Sequence, residues 1–175
     1  MTTATLQSES RVEKISITKH PEVGYQLRAE MFVDLPIDEV FDFFSDASQL
    51  GRITPPWLNF KILTPMPVEM KSGALLDYQI RLHGIPIKWR TEICVWEPSY
   101  RFVDQQLRGP YKKWYHEHVF ESVDGGTLVI DNVHYIVPFG GLVNKFFVQP
   151  DLQKIFQFRH ETLRQIFNER IAQRV

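Results

Sequence analysis

Two strands joined by a tight turn form the clearest hydrophobic pattern in this chain. Over residues 114–135, side chains alternate in character on either side of Asp124-Gly125, a dipeptide typical of two-residue hairpin turns. Successive side chains of a strand point to opposite faces, so counting outward from the turn predicts which residues face each other. The predicted register places His118 opposite Asp131. We therefore expect an antiparallel pair with polar side chains set into a mostly apolar face.

Alternation of apolar and polar residues predicts further strands on the N-terminal side of this hairpin. Pro21 interrupts the first of them, which we interpret as one long strand with a possible break. The short connections between the others favour antiparallel pairing. Including the hairpin, we expect a curved antiparallel sheet of about six to seven strands. The additional alternating segments are residues 12–33, 60–64, 74–82, 85–96 and 101–107.

Helical spacing of apolar residues occurs in two places. Residues 37–44 predict a short helix after the first strand, and residues 45–52 fit a second short turn of helix. Near the C-terminus a stripe about twenty residues long predicts one long amphipathic helix. A single apolar stripe can cover one face of a sheet, which predicts an α+β fold with room for a pocket between helix and sheet. The stripe consists of Leu152, Ile155, Phe156, Leu163, Ile166, Phe167 and Ile171.

Composition narrows the class of protein. The chain of 175 residues suits one domain, which we place at residues 11–175 after a Thr/Ser-rich tail, residues 1–10, that we expect to be disordered. The 13 Phe, 6 Tyr and 4 Trp favour a large apolar interior or an aromatic-lined pocket. A net charge of -1 without a block of like charge argues against a nucleic-acid partner.

Location is inferred from what the sequence lacks. Cys94 is the single cysteine and cannot form an intrachain disulfide, which favours a reducing compartment. The N-terminal residues have neither an apolar core nor a basic leader, so no signal peptide is expected. No segment approaches the roughly 18 apolar residues of a membrane span, so we expect no stable membrane insertion. The expectation is a cytoplasmic protein.

Several motifs, taken with the element order, resemble a known superfamily. They are PIDEVF at residues 36–41, FVD at 102–104, WYHEHVF at 114–120 and DNVHY at 131–135. Over residues 22–170 the chain is similar to helix-grip proteins of the SRPBCC superfamily, which includes START, Bet v 1-like and polyketide cyclase/dehydrase-like proteins. The resemblance is closest to bacterial single-domain members. It implies a hydrophobic ligand cavity under the long helix and does not imply one chemistry.

Five polar residues are expected on one face of three neighbouring strands: Asp104, Gln106, His116, His118 and Asp131. Three roles fit this arrangement. The residues can form a hydrogen-bonded network that satisfies buried polar groups. The same network can leave one edge free to orient a ligand in an apolar pocket. A histidine can also act as a general acid or base oriented by one of the aspartates, which makes His116, His118 and Asp131 the candidate catalytic residues.

A metal site is not expected from the sequence. Two histidines and two carboxylates could form a ligand set, but the histidines lie on a strand and the carboxylates are distant in sequence. There is no HExxH motif and no cysteine pair, and glycine-rich phosphate-binding patterns are missing as well. We therefore expect neither a metal nor a cofactor.

The remaining ligand-binding candidates are chiefly aromatic. Arg159 falls near the apolar stripe of the long helix, where it could enter the cavity mouth and pair with an acidic group, or form a weak salt bridge at the rim. The residues expected to line the cavity are Phe43, Phe44, Trp57, Tyr78, Trp89, Phe102, Trp114, Tyr135, Phe156 and Leu163.

Three functions are compatible with these features. The first is binding of a small hydrophobic molecule, such as a lipid, an isoprenoid or a polyketide-like compound. The second is a cyclase or dehydratase that uses a His-Asp pair. The third is a protein-interaction domain with a closed cavity, so a protein partner and the oligomeric state are both left open.

Overall fold

The computed structural model describes residues 13–22 and 24–174, so the predicted tail at residues 1–10 lies outside the described residues. The segment expected to be one long strand is a hairpin of two strands, β1 (Glu13–His20) and β2 (Gly24–Val33). The sequence expectation was wrong here because alternation continues through both arms and does not show that the chain reverses. The reversal occurs directly after Pro21, and His20 pairs with Gly24.

The first two strands belong to an antiparallel sheet of eight strands, one more than the upper limit of the six to seven expected. Its order is β1-β2-β8-β7-β6-β5-β4-β3, and neighbouring strands are antiparallel. The additional strand comes from the N-terminal hairpin, because the two-residue edge strand lies within the predicted segment 60–64. The strands after β2 are β3 (Lys61–Ile62), β4 (Leu75–Leu82), β5 (Ile85–Glu97), β6 (Arg101–Arg108), β7 (Lys113–Val123) and β8 (Gly126–Ile136).

The helices lie where the apolar spacing predicts them. Helix α1 (Ile37–Ser45) is followed by the 3₁₀ turns Ala47–Gly51 and Pro56–Leu58. Asp38 and Glu39 lie in the first turn of α1, where negative charge complements the helix dipole. The long helix α2 (Gln149–Ala172) continues from an α-turn at Gly141–Val143 and a π-turn at Asn144–Val148. Together with the sheet, α2 completes the predicted α+β helix-grip fold. Within the described residues, no helix is both long and apolar enough to cross a membrane.

The register of the central hairpin agrees with the sequence prediction. Val123 pairs with Gly126 and His118 with Asp131, and Asp104 lies opposite His116 on the other side of β7. The pairing of β5 with β6 contains two irregularities, one between Arg90 and Thr91 and the other between Ile93 and Val95. Such bulges re-aim side chains locally, and these two flank the strand region nearest the polar residues.

Gly24 allows β2 to start against β8. Its φ is +85°, and an added Cβ would lie 2.7 Å from the carbonyl oxygen of Tyr135. We therefore expect Gly24→Ala to lower the free energy of unfolding by about 1–3 kcal/mol, measured by urea denaturation. The matched control is Gly84→Ala, because Gly84 has φ +83° but nothing within 4 Å of the added Cβ. Equal losses in both variants would show that the close approach to β8 costs nothing.

Candidate functional site

A cavity of about 190 Å³ lies between α2 and the face of the sheet that this helix covers. Strands β4 to β7, helix α1 and the two 3₁₀ turns supply the other walls. Most of the residues predicted to line a pocket do so. They are Phe43, Phe44, Tyr78, Trp89, Phe102, Asp104, Trp114, His116, His118, Phe156 and Arg159.

Four predicted lining residues lie elsewhere. Tyr135 is fully buried behind the cavity, with its ring 5.6 Å from that of Tyr25. Gln106 is used by the loop before β7: its Nε2 donates to the carbonyl of Tyr111 at 2.7 Å, and its Oε1 accepts from the same residue's backbone N–H at 3.3 Å. Leu163 packs in the apolar core, and Trp57 is 55% exposed at the surface. Strand and helix periodicity predicted the face of each side chain but not its depth.

The His–Asp cluster, made of Asp104, His116, His118 and Asp131, forms a compact buried group on β6, β7 and β8. Its two imidazole rings stack with centroids 3.8 Å apart. Asp131 Oδ1 lies 2.7 Å from His116 Nε2 and 2.9 Å from His118 Nδ1, the second contact without the alignment of a hydrogen bond. Asp104 Oδ2 lies 3.1 Å from His118 Nε2 and 3.5 Å from His116 Nδ1. Each ring is thus held between two carboxylates.

Two further residues fix the orientation of the aspartates. Thr91 Oγ1 lies 3.2 Å from Asp104 Oδ1 and 2.9 Å from the carbonyl of Gln105, so its single hydroxyl proton serves the carboxylate or the carbonyl. The guanidinium of Arg159 reaches to 3.9 Å from Asp131 Oδ1. It also lies over the rings of Phe44 and Phe156, at 5.7 and 5.8 Å. Arg159 therefore lies inside the cavity, as one of the two sequence interpretations proposed, and not in a rim salt bridge.

Both aspartates are held in the ionised form. Burial alone would raise the pKa of Asp131, but the charge of Arg159, the hydrogen bond from His116 and the close contact with His118 outweigh it and keep that pKa well below its ordinary value. Burial likewise opposes ionisation of Asp104, whose pKa is nevertheless lowered by the hydrogen bond from His118 and by the nearby imidazoles. Ionised carboxylates only accept hydrogen bonds, so the protons in this cluster must lie on nitrogen.

The pKa values of the two histidines shift in opposite directions. Burial lowers the pKa of both, but for His118 the hydrogen bond to Asp104 and the adjacent carboxylate of Asp131 outweigh burial and raise its pKa overall. For His116, burial and the neighbouring His118 prevail and lower the pKa. His116 donates from Nε2 to Asp131 at 2.7 Å, so in its neutral form the lone pair is on Nδ1, which faces Asp104 at 3.5 Å. When His118 is protonated, the two carboxylates, one imidazolium and one guanidinium make the buried group neutral overall.

The cavity contacts one side of this cluster. Asp104, His116, His118 and Arg159 line it and form what we call the polar wall, whereas Asp131 is only 1% exposed and stands behind the imidazoles. Asp131 was predicted as a catalytic candidate that orients a histidine. It does not reach the cavity, and its position behind the imidazoles is compatible with that orienting role.

Sequence reasoning missed several lining residues. Thr91 could have been predicted from the sequence, because it is a polar residue between Trp89 and Ile93 on the inward face of β5. No sequence pattern predicts Leu58 and Tyr111 as lining residues, since they come from a 3₁₀ turn and a loop whose paths do not follow from periodicity. His160 is buried on the far side of α2, among residues that include Ile15.

Solved structures with this fold include three that span most of the chain. Protein Ms6760 from Mycobacterium smegmatis is 12% identical, with a TM-score of 0.65, and the match covers 89% of this chain and 99% of that chain. The Zhui aromatase/cyclase from Streptomyces sp. R1128 is 16% identical, with a TM-score of 0.56 and coverage of 81% and 94%. The di-domain ARO/CYC StfQ from the steffimycin biosynthetic pathway is 12% identical, with a TM-score of 0.65 and coverage of 84% and 52%. At such identities the likeness is one of fold.

A family model also matches the chain directly. Its description is polyketide cyclase / dehydrase and lipid transport, and the match spans residues 33–158, which include the whole His–Asp cluster. None of the curated proteins compared with the chain matches it. Because the family model covers well over half of the sequence and the fold agrees, the protein belongs to the polyketide cyclase / dehydrase and lipid transport family.

Proposed function

We propose that this protein binds a compact, mostly apolar small molecule in the cavity under α2, with an oxygen substituent of the ligand directed at the polar wall. The observation that carries this proposal is the composition of the cavity surface. Aromatic and aliphatic side chains supply most of it, and the groups of the polar wall converge at one side. Binding sites for small molecules have this composition, in which apolar contact provides affinity and a few polar groups provide orientation.

The size of the cavity narrows the class of ligand. A dry apolar cavity of about 150 Å³ accommodates benzene, whereas drug-sized ligands occupy about 300 Å³ or more. The cavity of about 190 Å³ therefore suits one aromatic ring with short substituents. Long acyl chains and multi-ring polyketides exceed this volume. Within the broad class predicted from the sequence, the proposal selects a monocyclic aromatic ketone or phenol.

The polar wall favours a ligand with a carbonyl or hydroxyl oxygen. Arg159 is the donor available to such an oxygen, because both ring nitrogens of His118 face carboxylates. A hydrogen bond to a charged group contributes about 1.5–3 kcal/mol. The Nε of Arg159 is buried and has no hydrogen-bond partner among the described residues. A ligand oxygen close to this guanidinium would satisfy a donor that the fold leaves unpaired.

Ligand titration with two matched probes tests the proposal. Trp89 and Trp114 line the cavity, so intrinsic fluorescence reports on its occupancy. We expect saturable one-to-one binding of acetophenone and of ethylbenzene, which differ in the carbonyl oxygen. Arg159→Met should weaken acetophenone binding by about 10-fold or more, as expected for a lost hydrogen bond to a charged group. Ethylbenzene affinity should change less than about 2-fold, since that probe forms no such bond.

Two outcomes would contradict the proposal. One is the absence of saturable binding for both probes, together with a native mass spectrum of the purified protein that shows no co-purified small molecule. The other is an equal loss of affinity for both probes in Arg159→Met. This would show that the substitution damages the cavity as a whole and does not act by removing a contact to the ligand oxygen. Ethylbenzene therefore serves as the internal control for folding of the variant.

Cyclisation or dehydration of the bound molecule is a second candidate function. The observation that favours it is the position of His116, which lines the cavity and has a lone pair on Nδ1 while Asp131 holds Nε2. A histidine oriented by a carboxylate is a typical general base. This function requires that the Nδ1 lone pair be free to accept a proton from the ligand.

A further inference from the structure

We propose that Asp104, His116 and His118 bind a divalent transition-metal ion through one carboxylate oxygen and two imidazole nitrogens. This inference goes beyond ligand binding and does not depend on it. Along the chain the carboxylates are distant from the histidines, which is why the sequence does not predict a metal site. Pairing of β6 with β7 removes that distance, since Asp104 lies directly opposite His116.

The three donor atoms already have the separations of a metal site. One ligand atom from each residue lies within 4.8 Å of the others. Asp104 Oδ2 is 3.1 Å from His118 Nε2 and 3.5 Å from His116 Nδ1. With metal–nitrogen and metal–oxygen bonds of about 2.0–2.2 Å, neighbouring ligands are separated by about 3.0–3.6 Å. Asp104 Oδ2 therefore already lies at the distance of a neighbouring ligand from one nitrogen of each imidazole.

The atoms of these three residues that would not bind the metal contact other protein groups. Metal-binding histidines generally use the second ring nitrogen to contact a carboxylate, which fixes the ring and increases its basicity. Asp131 does this for both rings, through His116 Nε2 at 2.7 Å and His118 Nδ1 at 2.9 Å. Thr91 lies beside Asp104 Oδ1, which leaves Oδ2 directed at the imidazoles. One buried carboxylate supporting two imidazoles is an arrangement that a metal site explains.

Charge and access also fit a cation. With neutral imidazoles, Asp104 and Asp131 outweigh the single charge of Arg159 by one negative charge, which attracts a cation. All three proposed ligands line the cavity, so the remaining coordination positions face the space assigned to the ligand. Two imidazoles and one carboxylate with open positions suit Zn²⁺, Co²⁺ or Fe²⁺. An oxygen substituent of the cavity ligand would then meet the ion.

Metal binding and proton transfer by His116 exclude each other. Both need the lone pair on Nδ1, because Nε2 donates to Asp131. Occupancy by an ion would thus count against the cyclase or dehydratase function in its simple general-base form.

Titration with Co²⁺ tests this proposal directly. The protein is prepared without a histidine tag, stripped with a chelator and titrated with Co²⁺ alone. We expect one equivalent to bind with a visible absorption band of a four- or five-coordinate site. Asp104→Asn and His116→Gln should weaken binding by at least 100-fold. The matched control His134→Gln, on the outward face of β8, should bind like the unmodified protein.

The outcomes separate this proposal from that of ligand binding. A lack of stoichiometric Co²⁺ binding to the unmodified protein at millimolar metal would overturn the metal proposal, whether or not the variants fold. Undiminished binding in both folded variants, with folding checked by circular dichroism, would overturn it as well. The acetophenone titration repeated in chelator is independent of the metal. Retained acetophenone binding with no Co²⁺ binding would thus remove the metal proposal alone.

Discussion

Asp131→Asn is expected to lower the free energy of unfolding by about 3–5 kcal/mol, which is the typical cost of removing one member of a buried ion pair. Asp131 is 1% exposed. Its carboxylate is the one nearest to the imidazoles of His116 and His118 and to the guanidinium of Arg159. Asparagine keeps the volume but removes the charge that offsets Arg159 and the imidazolium of His118. The remaining cations would then be buried with one carboxylate between them.

Urea denaturation provides the measurement, and Asp77→Asn provides the matched control. Asp77 is also on a strand and accepts two hydrogen bonds from Arg90, both at 2.8 Å. Both of these side chains are more than a third exposed, so solvent screens the pair, and its loss should cost no more than about 1 kcal/mol. Similar losses in the two variants would mean that burial does not strengthen the Asp131 interactions.

Much of the candidate site could be predicted because a tight turn fixes strand register. Asp124 and Gly125 determine the pairing of β7 with β8, and each later pair follows from a two-residue period. His118 opposite Asp131 is a consequence of that count. Asp104 opposite His116 required only that the loop between β6 and β7 be about four residues long.

The depth to which a side chain is buried, and the reversal of the chain between the first two strands, could not be predicted in the same way. Parity correctly placed Tyr135 on the face of Trp114, but Tyr111 from the preceding loop packs across that end of the sheet, with its ring 5.9 Å from that of Tyr135. Tertiary packing of a loop therefore decided whether an inward side chain lines a cavity or fills the core. The reversal at Pro21 was missed for a related reason, since a kink and a hairpin leave the same alternation on both sides.

The proposed metal site joins residues that are far apart along the sequence. Short metal motifs place ligands within one turn or loop, whereas a sheet brings residues of neighbouring strands to within bonding distance of one ion. Asp104 and His116 are adjacent because of pairing, and Thr91 supports Asp104 from a third strand. A polar residue at the inward position of three adjacent strands is the pattern that would have indicated the site.

Phe120→Ala is expected to lower the free energy of unfolding by about 3–5 kcal/mol, because a buried phenylalanine loses its contacts and leaves a cavity. Phe120 lies on β7, two residues beyond His118 and on the same face, yet it does not line the ligand cavity. Its ring packs against those of Phe41, Phe44 and Phe102, with centroids 5.1–6.1 Å apart. This aromatic group joins α1 to the sheet.

Phe146→Ala is the matched control, because this phenylalanine is 63% exposed and its removal should change stability by less than about 0.5 kcal/mol. Urea midpoints measure both variants, with an unchanged denaturant slope showing that unfolding stays two-state. At urea concentrations below its unfolding midpoint, Phe120→Ala should still bind acetophenone with an affinity close to that of the unmodified protein. Loss of binding in the folded variant would show that the aromatic core and the cavity form one unit. Retention would show that the polar wall is positioned by strand pairing and by α2, which is what the contacts of Arg159 and Asp131 imply.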